Sequence, residues 1–223
     1  MPLSDSELAH IRHLIQEVGG VTNPSGWFEP LYQEAQGDST QVPWAQMQAN
    51  PYLPDWLQKQ SSPSKHSEAL VLGCGLGDDA EALSDLGYQV TAFDISPTAI
   101  KWCQQRFPES PVTYEVADLF APPNNWQSRF ALVYECRNFQ ALPVEVRGAG
   151  ITAIANCVAP EGRFLLITNY LGDSPLPAGP PWPLSDGELD LIEQQGFRCL
   201  RREQLQPPQS NLSPKLRVEY IRQ

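Results

Sequence analysis

Residues 73–79 read Gly-Cys-Gly-Leu-Gly-Asp-Asp, so three glycines at alternate positions run into two carboxylates. Glycines so placed let a backbone turn tightly and approach a ligand closely. The dinucleotide-binding fingerprint would put its third glycine where Asp78 stands; here that glycine is Gly77. A pyrophosphate on a helix N-terminus relies on free N–H groups and a positive dipole, and Asp78 and Asp79 oppose both. The same carboxylates attract an ammonium group, so the loop of Gly73, Cys74, Gly75 and Gly77, with Asp79 behind it, favours a cationic ligand. The plainer alternative is that the two aspartates only complement the dipole of the following helix. About twenty residues further on, Asp94 ends the run Gln89–Phe93 with Ile95 beside it. From that position a carboxylate accepts hydrogen bonds from both hydroxyls of a ribose. It can equally cap a helix, because Ser96 and Pro97 follow. Further along, Asp118 and Leu119 follow the run 112–116, where the first could meet an adenine amino group and the second pack its ring, unless Asp118 is a solvated turn residue.

Such residues need strand ends and helix starts to hold them. From Glu68 onward, short apolar runs alternate with helical segments of about ten residues, the pattern of βαβ units. Strands are expected at 69–72, 89–93, 112–116, 130–134, 163–168, 197–202 and 216–221, with helices at 78–86, 97–107, 144–158 and 185–195. This predicts an α/β fold: a Rossmann-like, seven-stranded, mostly parallel sheet with helices on both faces. Ahead of it, Ser4 and Glu7 form a candidate capping box, and Leu8, Ile11, Ile15 and Val18 recur at helical spacing. Residues 24–56 gather Trp27, Phe28, Tyr32, Trp44, Tyr52 and Trp56 among prolines and glycines, an aromatic lid candidate, and 60–65 read as a polar linker. The expected division is an N-terminal lid segment, 1–60, and a sheet domain, 61–223, within one compact unit.

Bulk properties narrow the function classes. A net charge of -11 over 223 residues opposes the basic footprint a nucleic-acid partner requires. No apolar run approaches the roughly 20 residues of a membrane span, and no secretory leader pattern opens the chain. A cytoplasmic protein, monomer or weak homodimer, is expected. Five scattered cysteines without a CxxC pair suggest neither a disulfide framework nor a zinc site, and the three histidines have no third ligand near them, so no metal is expected.

The blocks ALVLGCGLGDD, VTAFDIS, VADLF and VAPEGRFLLI, in that order, resemble the class I S-adenosylmethionine-dependent methyltransferases. The likeness covers roughly 68–168. Most members carry an acidic residue two positions before the first glycine; here Val71 stands there. That departure is similar to the branch of thiopurine, thiol and halide methyltransferases, where an apolar strand leads into a GCGxGxD loop. The resemblance implies S-adenosylmethionine as cofactor, S-adenosylhomocysteine as product, and a small-molecule acceptor, with thiols and other soft nucleophiles favoured. It would also make Trp27 or Trp44 a wall of the cofactor pocket, their alternative being plain core anchors. An aromatic face stabilises a sulfonium by up to about 2 kcal/mol once desolvated.

The acceptor is expected over the ends of the fourth and fifth strands, near Tyr134, Glu135, Arg137, Asn138, Asn169 and Tyr170. Glu135, Asn138 and Tyr170 are the candidate catalytic residues, Glu135 as base and also as a contact to the cofactor. The alternatives for Glu135 are to orient the acceptor, since a thiol needs no carboxylate base, or to pair with Arg137 or Arg147 in a structural contact. The proline-rich stretch 170–183, with Trp182, is a second lid candidate. Competing readings are O- or N-methylation of a small metabolite and a silent cofactor-binding module.

Overall fold

The computed structural model describes residues 4–18, 20–64, 66–205 and 214–223. Residues 1–3 of the expected N-terminal segment, and Lys65 at the end of the expected linker, lie outside this set. Seven strands form one sheet: β1 (Glu68–Leu72), β2 (Gln89–Asp94), β3 (Thr113–Val116), β4 (Phe130–Cys136), β5 (Val158–Asn169), β6 (Phe197–Leu205) and β7 (Lys215–Arg222). Their order is β3-β2-β1-β4-β5-β7-β6. The first five run parallel, while β7 is antiparallel to both β5 and β6. From β1 the chain winds outward to β2 on one side, and the sheet continues through β4 on the other. The order therefore reverses beside β1, which opens a crevice at the carboxyl ends of these strands.

The helices are α1 (Asp5–Glu17), α2 (Phe28–Ala35), α3 (Tyr52–Leu57), α4 (Asp78–Leu86), α5 (Pro97–Arg106), α6 (Val144–Cys157) and α7 (Asp186–Gln194). Local chemistry sets their ends. Ser4 with Glu7 and Ser185 with Glu188 make reciprocal capping boxes on α1 and α7. Ser96 caps α5 with Pro97 in its first turn, and Gly87, at φ 112, closes α4 in a conformation that favours glycine. Alternate residues of β1 face opposite layers: Leu70 and Leu72 pack with Ile151, Ile154, Leu189 and Ile192, whereas Ala69 and Val71 pack with Leu53, Trp56, Ala80 and Leu83. Helices thus cover both faces of the sheet. Among the described residues no helix is long and apolar enough to cross a membrane.

Strands run a residue or more beyond several sequence-based bounds, most of all β5, whose start at Val158 follows directly on α6 because Val158 pairs with Phe130 ahead of a bulge. Helices α2 and α3 were not expected. They span 8 and 6 residues and carry Pro30 and Pro54, too short and too interrupted for a periodic signal. Both belong to the N-terminal segment, which builds its own apolar cluster of Ile11, Leu14, Trp27, Leu31 and Tyr32 against Leu76 and Ala99 of the sheet layer.

Candidate active site

A cavity of about 580 Å³ lies between the N-terminal segment and the carboxyl ends of β1, β2, β4 and β5. Its walls are mainly apolar, and it falls inside the roughly 300–1,000 Å³ typical of small-molecule sites. The glycine loop forms one edge. Gly73 and Gly75 sit at φ 49 and 56, and a Cβ on Gly75 would stand 3.3 Å from the Tyr32 hydroxyl. A Cβ on Gly73 would collide with the Asn138 side chain. Cys74 N donates to Phe93 O at 2.8 Å, tying the loop to β2.

Carboxylates stand at this end. Asp94 is buried, its Oδ2 accepting from Gly75 N and its Oδ1 from Ser96 N, both at 3.0 Å. Burial pushes its carboxyl up to about 6, which leaves it ionised at neutral pH. A carboxylate has about four acceptor positions, so each oxygen retains capacity for a ligand hydroxyl. The helix cap expected as the alternative role of Asp94 is supplied instead by Ser96, whose side chain accepts from Ala99 N. Asp79 accepts from Asn50 N at 2.6 Å and from the Tyr134 hydroxyl at 2.9 Å, and burial raises its carboxyl. Asp78 differs from the sequence-based reading: Arg106 holds both its oxygens at 2.8 Å, so its charge is spent on α5 and the pull on a cation falls to Asp79 and Asp94.

Two cations also belong to this cavity. Arg137, held at φ 67, and Lys215 both line the cavity beside Thr168 and Asn169. Lys215 Nζ donates to Asn169 Oδ1, and burial, followed by the Arg137 guanidinium, brings the amine down to about 8. Among the described residues no carboxylate is in ion-pair contact with either; Asp79 acts on Arg137 from further off.

The chain has relatives among known proteins. The family model for thiopurine S-methyltransferase matches residues 34–218. The chain belongs to that family. Thiocyanate methyltransferase 1 of Brassica oleracea is 27% identical over 73% of this chain and 72% of its own. Thiopurine S-methyltransferase of Vibrio campbellii is 27% identical over 74% and 82%. A solved N-methyltransferase of Bradyrhizobium japonicum, in complex with S-adenosyl-L-homocysteine, shares the fold with a TM-score of 0.66 at 18% identity, over 87% of this chain and 97% of that one. The protein is an S-adenosylmethionine-dependent methyltransferase.

The residues of this methyltransferase suit that cofactor. The glycine loop leaves room for close approach, Asp94 offers acceptors for hydroxyls, and Asp79 carries a negative charge for an ammonium. Of the sequence-predicted set, Trp27, Trp44, Gly73, Cys74, Gly75, Asp79, Asp94, Ile95, Leu119 and Asn138 line the cavity. Trp27 and Trp44 are wall and anchor at once: their rings meet edge to face at 5.7 Å, and Trp44 Nε1 donates to the Tyr32 hydroxyl at 3.0 Å. The Trp27 indole N–H is buried and has no hydrogen-bond partner among the described residues.

Four predicted residues do not line the cavity. Gly77 sits where a Cβ would crowd the Tyr114 hydroxyl at 2.6 Å, so its role is packing of the loop on α5 and β3. Asp118 caps its own turn by accepting from Phe120 N at 2.9 Å, leaving Ala117 and Leu119 as the cavity residues there. Tyr170 donates to Asp186 at 2.8 Å on the outer side. Glu135 is fully buried behind the cavity, because its place on β4 turns it towards the layer of α6, and it forms no ion pair with Arg137 or Arg147. The guanidinium of Arg147 serves Glu188, Leu142 O and Trp182 O instead. In the second lid candidate, Pro180 and Pro181 line the cavity and Trp182 does not.

Sequence reasoning missed Lys215, Gln140 and Asn50, which line the cavity, and Glu29, which fastens α2 over it. Glu29 accepts from the Ser96 hydroxyl at 2.5 Å, from Thr98 N at 3.1 Å and from the Thr98 hydroxyl at 2.7 Å. Its only local signal was an acid among aromatics.

Proposed function

We propose that this methyltransferase methylates a small sulfur nucleophile that reacts as an anion, a thiolate or a soft anion of similar size. The observation that carries this reading is that Arg137 and Lys215 both line the cavity, beside Thr168 and Asn169, with no carboxylate in ion-pair contact with either among the described residues. Two cations in a desolvated pocket lower the pKa of a thiol near 8.5 and hold the resulting anion, so no general base is required. The names of the relatives support the same class, since one is a thiocyanate methyltransferase and another a probable thiol methyltransferase of Arabidopsis thaliana.

The bound cofactor supplies an electrophilic methyl group on a sulfonium centre. Asp94 would hold the sugar hydroxyls, Asp79 would attract the amino group, and Leu119 would pack against the base. Trp27 and Trp44 present aromatic faces to positive charge. Arg137 and Lys215 keep the nucleophile ionised and oriented, while the N-terminal segment excludes water. Attack of an anion on a cation loses charge as it proceeds, so the chain's main contribution is alignment within dry walls.

The test is turnover of S-adenosylmethionine at pH 7.5 with a panel of a small thiol, thiocyanate, a phenol and an amine, following S-adenosylhomocysteine by mass spectrometry. Product with the sulfur nucleophiles is expected. Product with the phenol or amine alone overturns the acceptor class, and cofactor binding without turnover on any of them would indicate a binding module.

A further inference from the structure

The β4–α6 connection forms part of the cavity wall. Arg137, Asn138, Gln140, Ala141 and Leu142 all line it. Asn138 also reaches the donor side: its Nδ2 donates to Leu72 O at 2.8 Å, and its side chain occupies the space a Cβ on Gly73 would take. The turn that begins this wall is unusual, with Arg137 at φ 67, where non-glycine residues are uncommon.

What holds the turn is Glu135. One oxygen, Oε1, accepts from Asn138 N and from Phe139 N, the latter at 3.0 Å. The other, Oε2, is buried without a hydrogen-bond partner among the described residues. Its register neighbours are apolar, Leu72 on β1 and Leu166 on β5. The short helical turn 139–141 adds Phe139. The charge that faces it is the Arg147 guanidinium on α6, already bound to Glu188 of α7 at 2.6 Å. An amide or a neutral acid would fill the same space, yet a carboxylate makes the two backbone bonds charge-assisted and roughly twice as strong.

We propose that Glu135 is a positioning residue of the methyl-transfer site, whose ionised carboxylate pins the Arg137–Asn138 turn and, through Asn138, braces the glycine loop on which the cofactor rests. This rests on the reading of the cavity given above. It replaces the role of base that the strand-end position suggested, since no face of Glu135 meets the cavity. Burial also holds its carboxyl at about 7, so the bracing strengthens as pH rises through neutrality and slackens below it.

The experiment follows S-adenosylhomocysteine binding by calorimetry from pH 5 to 8.5 in the wild type and in Glu135→Gln, a neutral isostere. In the wild type the Kd should weaken by about three- to tenfold as pH falls through 7, ahead of a separate loss near 6 from Asp94. Glu135→Gln should lack the step near 7, retain the one near 6, and bind at pH 8 as weakly as the wild type below the first step. A step near 7 that persists in Glu135→Gln, or is missing from the wild type, overturns the proposal while leaving the cavity reading intact. Absence of binding in both proteins overturns the cavity reading, and this one with it. Should Glu135→Gln fail to fold, amide exchange in the wild type decides: protection of Asn138 and Phe139 N–H should drop below pH 7, and constant protection overturns the role.

Discussion

At the donor end of the cavity the charges are the carboxylates Asp79 and Asp94; at the acceptor end they are Arg137 and Lys215. The two ends are also built differently. Asp94 ends β2 and binds backbone N–H groups of the adjoining loop and turn, so sequence neighbours and one βαβ unit suffice to place it. Lys215 reaches the cavity because β7 runs antiparallel to β5, which sets it opposite Asn169. On the proposed function this polarity suits a cationic donor meeting an anionic acceptor, and the mainly apolar walls of the cavity magnify both attractions. The donor end is thereby tied to the most local part of the fold and the acceptor end to the least local part.

Substitutions at either end should act on one ligand and spare the other. The largest effect is expected from Gly75→Val, which places a β-branched side chain at φ 56 and beside the Tyr32 hydroxyl. S-adenosylhomocysteine affinity should fall on the order of 100-fold, measured by calorimetry with circular dichroism to verify folding. Asp94→Ala should cost about 1.5–3 kcal/mol of the same binding. Its pH dependence sharpens the point. The folded carboxyl titrates near 6, above the ordinary 3.8, so this group's contribution to stability is present at low pH and lost as pH rises through 6. Ligand affinity runs the other way, increasing through 6 in the wild type, and the increase should vanish in Asp94→Ala.

At the other end, Lys215→Met should raise the KM for the sulfur acceptor about tenfold while leaving the Kd for S-adenosylhomocysteine within about twofold. Equal losses in both would dissolve the distinction between the ends. The smallest effect is expected from Glu29→Ala, which removes a helix cap worth about 0.5–2 kcal/mol and the clasp of α2 on α5. Cofactor binding should weaken by roughly two- to fivefold, and limited proteolysis between α2 and α3 should become faster; an unchanged cleavage rate would show that the clasp does not hold the segment down.

Much of the fold was readable because its signals lie within a few residues of one another. Apolar runs marked all seven strands, α4 was expected at its observed bounds, and a capping box marked α1. The site was readable on the same terms: the spacing from Gly73 to Asp94 is a property of one strand–loop–helix–strand unit. Asp78 illustrates the limit, since its sequence position matches that of Asp79 while Arg106, 28 residues away, neutralises it alone. Glu135 illustrates it again. A strand-end acid facing the cavity and one facing α6 differ by a single step of the pleat, and the sequence-based range 130–134 stopped β4 just before it.

The chain's local order determined the parallel sheet, the glycine loop and the carboxylate that ends β2, because backbone preferences and short-range periodicity act between near neighbours. Tertiary structure decided which acids keep a free charge, which cations reach the acceptor, and how the N-terminal segment closes over them. Those depend on contacts such as Glu29 with Thr98, 69 residues apart, and Lys215 with Asn169, 46 residues apart. Charges so distant in sequence acquire partners, burial and altered acidity only when the sheet brings their elements together.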